Sequence, residues 1–296
     1  MKLHSIQVLR GVAAVGVVIY HATDTRFGVG AAGVDLFFVI SGFVMAMVSQ
    51  GKQPLPFIRD RLWRILPLYF LAAAAYVTLI PIQADACRTM ASLTLWPAWP
   101  NYCFPYVVQA WSLSYELFFY GLVALFIRRQ WWLFVVLPAF IVWRLAVPTP
   151  PFLWLGNPIV LEFLAGMLLA KLPRKYGGVA LMIGIFGLFN APVETQSPLR
   201  AVYWGIPAFH IVHGALTLEE QFKSMAWEVP MAVGDSSYSL YLVHVIILKL
   251  VDLGAFAEVA IAVALSYGVH RLIEKPLLAL KNSRGGKGPI AKRACT

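Results

Sequence analysis

The sequence predicts an all-α polytopic membrane protein of about ten transmembrane helices, with both termini in the cytoplasm. Three observations carry that prediction. Of 296 residues, 60% are hydrophobic and 13% charged, with a mean hydropathy of +0.72, whereas soluble proteins average about 25% charged. A water-soluble globule could not cover so much apolar surface, and a chain with so much to bury is not disordered. Apolar runs broken by Gly, Pro and charge mark ten spans, near 7–24, 32–49, 66–82, 105–127, 131–147, 153–170, 177–190, 201–217, 229–250 and 254–273. The basic residues then choose a side. With the N-terminus inside, 19 of the 24 Lys and Arg fall in cytoplasmic segments, leaving Arg26, Arg88, Arg144, Arg200 and Lys249 elsewhere. The net charge of +10 therefore reads as a membrane topology signal, and no nucleic-acid partner is expected. A crossing needs about 20 helical residues, so residues 1–278 form one membrane domain, followed by a basic cytoplasmic tail over 279–296.

The first span begins like a signal peptide, but Tyr20-His21 and Asp24 follow it in place of a small-residue cleavage site. It carries Arg10 and His21, eleven positions apart, about 16 Å of rise and three turns of helix. A fixed cation at the cytoplasmic mouth thus shares a face with a titratable imidazole beyond the midplane. Taken by itself, His21 reads equally as a hydrogen-bonded core histidine. The second span opens on Gly33-Val34-Asp35, where an acid either serves the helix dipole or meets the end of the first span; Ser41 and Gly42 permit close helix approach. Before the third span, Arg61 and Arg64 lie three apart and share a helical face. They read as a topology determinant or as a grip on a phosphate.

Cys87 and Cys103 share the outer loop before the fourth span, where a bridge worth roughly 3 kcal/mol and two free thiols are both open readings. No Cys/His cluster has metal spacing, so no metal is expected. Glu116 stands about halfway along the fourth span and must be protonated, paired or solvated in a cavity; His21 is the expected partner. Glu162 in the sixth span either lines the same cavity or pairs with Arg144. His210 and His213 read as packing or pore residues. The ninth span holds Ser237, Tyr241 and His244 in a hydroxyl-rich stretch that suits either interhelical contacts or a sugar.

Together these segments resemble the membrane-bound acyltransferase family three, the integral-membrane O-acyltransferases of surface polysaccharides, from about residue 5 to 278. The resemblance rests on Arg10 and His21 with ten residues between them, on Arg61, Arg64 and Pro67, and on the Gly-Val-Asp-Leu-Phe-Phe-Val-Ile-Ser-Gly-Phe run. Trp-Ser-Leu-Ser-Tyr-Glu, Ser-Tyr-Ser-Leu-Tyr-Leu-Val-His and the closing Glu-Lys-Pro follow in order. The opening residues are most similar to the exopolysaccharide-type subgroup. Many relatives carry an aspartate before Leu-Arg-Gly, where Gln7 and Val8 stand here. Some also carry an extracytoplasmic esterase-like domain, and this chain is expected to act without one.

The resemblance implies transfer of an acyl group, commonly acetyl from acetyl-CoA, to a glycan hydroxyl at a bacterial inner membrane. Arg10, Arg61 and Arg64 are then expected to hold acyl-CoA. His21 is expected to act as base, with Glu116 and Asp35 holding its ring, and Tyr115, Glu162, Ser237, Tyr241 and His244 to bind the acceptor, an exopolysaccharide, lipopolysaccharide or lipid-linked oligosaccharide. The rival class is a transporter or flippase for a glycan or small anion, against which no repeat between the chain halves is visible.

Overall fold

The computed structural model describes residues 3–97, 103–193, 198–225 and 227–284. Those residues are mostly helical and contain no β-strand, as expected where lipid leaves backbone groups no partner but one another. Helix α1 runs His4–Ala22, α2 Gly33–Val48 after a 3-10 turn at Gly28–Ala32, and α3 Pro54–Leu79. Then come α4 (Ala86–Thr94), α5 (Trp111–Leu125), α6 (Leu133–Ala146), α7 (Pro150–Leu155), α8 (Val160–Leu169) and α9 (Gly177–Asn190). A π turn at Ala201–Gly205 leads into α10 (Ile206–Thr217), and α11 (Glu219–Ser224), α12 (Glu228–Asp235), α13 (Ser237–Leu250), α14 (Ala255–Val269) and α15 (Lys275–Arg284) complete the chain.

Each of the ten expected stretches holds helix, but among the described residues five segments are long and apolar enough to cross a membrane: His4–Ala22, Gly28–Val48, Pro54–Leu79, Pro150–Leu169 and Ala255–Lys281. A sixth is added if α12 and α13, bent by 73°, count as one broken span. The stretches 130–146 and 177–190 are apolar but shorter. The third segment begins well before its expected start, because Pro54 opens the helix and carries it through Arg59, Arg61 and Arg64. The arginine pair is therefore helical and shares a face, as its spacing required.

Helix α1 is central and touches α2, α10, α12, α13 and α14. Small residues set how closely the helices meet. A Cβ on Gly42 of α2 would lie 1.9 Å from the Phe163 carbonyl oxygen of α8, and one on Gly166 of α8 would lie 2.0 Å from the Val39 carbonyl oxygen of α2. The two glycines thus interlock one crossing. Gly234 does the same for α12, where a Cβ would meet the Gln7 carbonyl oxygen at 2.0 Å.

The start of α1 has no side-chain cap of its own; Glu219 provides one from α11. Its carboxylate accepts from the backbone N–H of His4 at 2.8 Å and of Ser5 at 3.0 Å, and from the Ser5 hydroxyl. Burial pushes the Glu219 carboxyl up, but these bonds, with Lys223 nearby, outweigh it and hold it below the ordinary carboxylate value. Beyond the opposite end of α1, Cys87 and Cys103 are joined as a disulfide, which decides between the two readings of that loop.

Candidate functional site

Three adjacent cavities follow α1 along its length and share lining residues. The first, about 850 Å³, is bounded by Gln7, Arg10, Arg61, Arg64, Asp235 and Glu274. The second, about 130 Å³, shares Arg10, Val44, Arg61 and Arg64 with it and adds Ser112, Glu116 and Tyr120. The third, about 440 Å³, shares Val34 and Tyr241 with the second and adds His21, Gln109, Trp154, Asn157 and Arg200. Arg10 and His21 therefore stand at successive cavities, as their common face on α1 required.

The arginine cavity gathers three cations among carboxylates from Glu116, Glu228, Asp235 and Glu274. Arg10 comes from α1, Arg61 and Arg64 from one face of α3, and all three line both the first and second cavities. Arg61 Nε is buried with no hydrogen-bond partner among the described residues. A buried donor without a partner costs about 1–3 kcal/mol, a cost that an incoming acceptor oxygen removes. Gln7 is the local support: its amide donates to Asp235, and its oxygen accepts from Arg10 Nη1 at 3.4 Å.

His21 is held from behind. Its Nδ1 lies 2.8 Å from the Val17 carbonyl oxygen, which can only accept, so Nδ1 carries the proton and Nε2 the lone pair. The same Nδ1–H points at His244 Nε2, 3.4 Å away. His244 is fully buried and donates its own Nδ1–H to the Leu240 carbonyl oxygen at 2.9 Å, which leaves its Nε2 as an acceptor. Two carbonyls thus set both tautomers, and His21 Nε2 is left as a base beside the Gln109 amide at 3.4 Å.

Both carboxylates expected at the imidazole lie elsewhere. Helix α5 runs antiparallel to α1: Gln109, just before it, meets His21, and Glu116 sits seven residues on, about 10 Å lower. Glu116 accordingly lines the arginine cavity and accepts a hydrogen bond from Tyr120. Asp35 faces away from α1, because at 100° per residue it shares the α2 face of Val39 and Gly42 that packs on α8. It is fully buried and binds Arg200 through Nε at 2.9 Å and Nη2 at 2.7 Å. Among the described residues, the polar atoms at the His21 ring belong to Val17, Gln109 and His244, with no carboxylate there.

The five residues expected to bind the acceptor divide. Tyr115 and Tyr241 line the outer cavity; Tyr115 stacks on Trp154 at 4.4 Å and donates to its carbonyl oxygen. Ser237 lines the arginine cavity instead, and His244 stands behind His21. Glu162 lines none of the three cavities and lies beside Asp35 and Arg200, against Gly205. Arg144, its alternative partner, donates to the Leu153 carbonyl oxygen.

Gln109, Asn157 and Arg200 are cavity residues that the sequence reading passed over. Arg200 had left a signal, as one of the five basic residues that the charge pattern set apart. Gln109 had a weaker one, a lone amide two residues before the Trp-Ser run.

Comparison with known proteins identifies the family. The acyltransferase domain profile of acyltransferase family three matches residues 3–269. The exopolysaccharide production protein ExoZ of Rhizobium meliloti is 33% identical, over 93% of this chain and 99% of its own length. The acyltransferase MdmB of Streptomyces mycarofaciens is 23% identical, over 98% of this chain and 95% of its own. The O-acetyltransferase OatA of Staphylococcus aureus is 28% identical over 40% of this chain and 24% of its own. No solved structure matches this chain. With the family's domain spanning nearly the whole sequence and the cavities running along its helices, this chain belongs to acyltransferase family three, the membrane enzymes that transfer acyl groups.

Proposed function

We propose that the protein moves an acetyl group from cytoplasmic acetyl-CoA to a hydroxyl of an exopolysaccharide or related surface glycan. In this reading it crosses the bacterial inner membrane about ten times with both termini inside. The observation that carries the reading is the distance between its two polar centres. A trio of arginines and an imidazole nitrogen that carries a lone pair sit at cavities about 16 Å apart along one helix, with a narrow cavity between them. A small acyl phosphate cannot reach both centres. A donor with a phosphate head and a flexible arm, the reach of about five extended residues, can, and acyl-CoA has that shape.

Arg10, Arg61 and Arg64 hold the phosphates, and the arm lies in the second cavity with the thioester facing the third. The acceptor sugar enters the third cavity, where the stacked Tyr115 and Trp154 offer an aromatic wall. His21 Nε2 takes the hydroxyl proton as the sugar oxygen attacks the thioester carbon; the intermediate then expels the thiolate, which takes that proton back. Base catalysis of this kind contributes about 10²–10⁴-fold. His244 and Val17 keep Nε2 unprotonated and aimed. Family membership favours this transfer over a transport role.

The test is His21→Ala in inverted membrane vesicles given labelled acetyl-CoA, with label counted in the polysaccharide fraction. Transfer is expected to fall at least about 100-fold while the protein stays folded and inserted. Near-normal labelling by the variant overturns the mechanism.

A further inference from the structure

We propose that the Tyr241 and Ser112 hydroxyls, at the neck between the arginine cavity and the His21 cavity, bind the thioester carbonyl oxygen as it becomes an oxyanion. The assignment rests on the acyl-transfer reading above and adds the electrophilic half of the machinery that the reading lacks. A base alone does not carry an acyl transfer. Negative charge develops on the carbonyl oxygen, and aimed donors in a site that excludes water are usually the largest single stabilising effect.

The neck has such donors. Tyr241 lines both cavities and Ser112 the inner one, so an arm threading from the arginines toward His21 passes them. Their oxygens lie 2.8 Å apart, and the Tyr241 hydroxyl donates to the Gln109 carbonyl oxygen at 2.9 Å. Ser112 Oγ lies 3.3 Å from the same carbonyl. Gln109 therefore joins the two halves: its backbone oxygen holds the hydroxyls, and its side-chain amide meets His21 Nε2. Base and hydroxyls sit at the two ends of one residue, so a carbonyl carbon between them has a base on one side and two donors on the other. Hydroxyl hydrogens rotate freely, so each can turn from the peptide oxygen to the developing oxyanion without moving the backbone.

The step balances. The sugar oxygen bonds to the carbonyl carbon, the π pair moves onto the carbonyl oxygen between Tyr241 and Ser112, and the hydroxyl proton goes to His21. On collapse the C–S bond breaks and the thiolate recovers that proton. Tyr241 is held for the task by edge contact with Phe37 at 6.0 Å.

Tyr241→Phe and Ser112→Ala test the assignment separately in the vesicle assay with labelled acetyl-CoA. Each is expected to lower the rate at saturating donor about 100-fold, with the half-saturating acetyl-CoA concentration within about threefold of wild type. A rate within threefold of wild type in both variants overturns it. So does a loss that appears as weaker donor saturation at an unchanged maximal rate, since the hydroxyls would then hold the arm and not the transition state. His21→Ala run in parallel separates the two readings. An inactive His21 variant beside active neck variants sinks this assignment alone; an active one, or a wild type that transfers no label, sinks the acyl-transfer mechanism and this assignment with it.

Discussion

Replacing Asp35 by Asn separates the partner seen in the structure from the one the sequence suggested. The Asp35 side chain has no exposed surface and Arg200 is 12% exposed, so the guanidinium loses its counter-ion where water cannot replace it. Breaking such a buried pair costs about 3–5 kcal/mol. The lower end applies here, because Arg200 keeps the Ala31 carbonyl at 3.3 Å and the Trp204 ring at 4.8 Å and has the Glu162 carboxyl nearby. A loss of about 3 kcal/mol lowers the folded-to-unfolded ratio about 10²-fold, readable as an earlier midpoint in an SDS titration of the protein in mixed micelles. Arg200→Gln should cost a similar amount. The double variant leaves no charge stranded and should recover most of the loss, a coupling that a double-mutant cycle measures directly. The pH midpoint of transfer should stay at the wild-type value, because Asp35 does not touch the His21 ring. An Asp35→Asn variant as stable as wild type but with a displaced pH profile would place the acid at the imidazole and refute the argument.

Three further predictions concern the N-terminal half of α1. In the arginine cavity, Arg64→Ala should raise the half-saturating acetyl-CoA concentration about tenfold or more, by losing a charge-assisted bond worth about 1.5–3 kcal/mol, with the maximal rate little changed; Glu116→Gln should lower that concentration, by removing the competing anion. A fall in maximal rate alone for Arg64→Ala would argue against phosphate binding there. At the N-terminus, Glu219→Ala should cost about 0.5–2 kcal/mol. The Glu219 carboxyl is held below its ordinary value of 4.5, so its contribution is complete above that pH and is lost as the pH falls through the lowered folded value. The stability gap between wild type and variant, followed by denaturant titration, should therefore narrow below pH 4.5, and a gap that widens on acidification would refute the capping role.

Three of the five basic residues that the charge pattern set apart have local partners. Arg88 lies over the Tyr106 ring at 4.9 Å, Arg144 donates to the Leu153 carbonyl oxygen, and Arg200 pairs with Asp35. The Cys87–Cys103 pairing could not be chosen from the sequence, because proximity in a loop does not say whether two thiols meet.

Within a single helix the sequence was sufficient. Composition and hydropathy dictate an all-helical membrane chain, since lipid allows only helices and closed barrels and long unbroken apolar runs suit helices, not the alternating strands of a barrel. The fixed rise and rotation of a helix place Arg10 and His21 on one face and put Arg61 beside Arg64. Between helices the sequence is silent about rotation and depth. Those are set where Gly42, Gly166 and Gly234 let backbones touch, and they turn Asp35 toward Arg200, lower Glu116 to the arginines, and bring His244 and Gln109 to His21. The partners of the buried charges were therefore decided by helix packing, because a side chain meets only what the neighbouring helix presents at its own height.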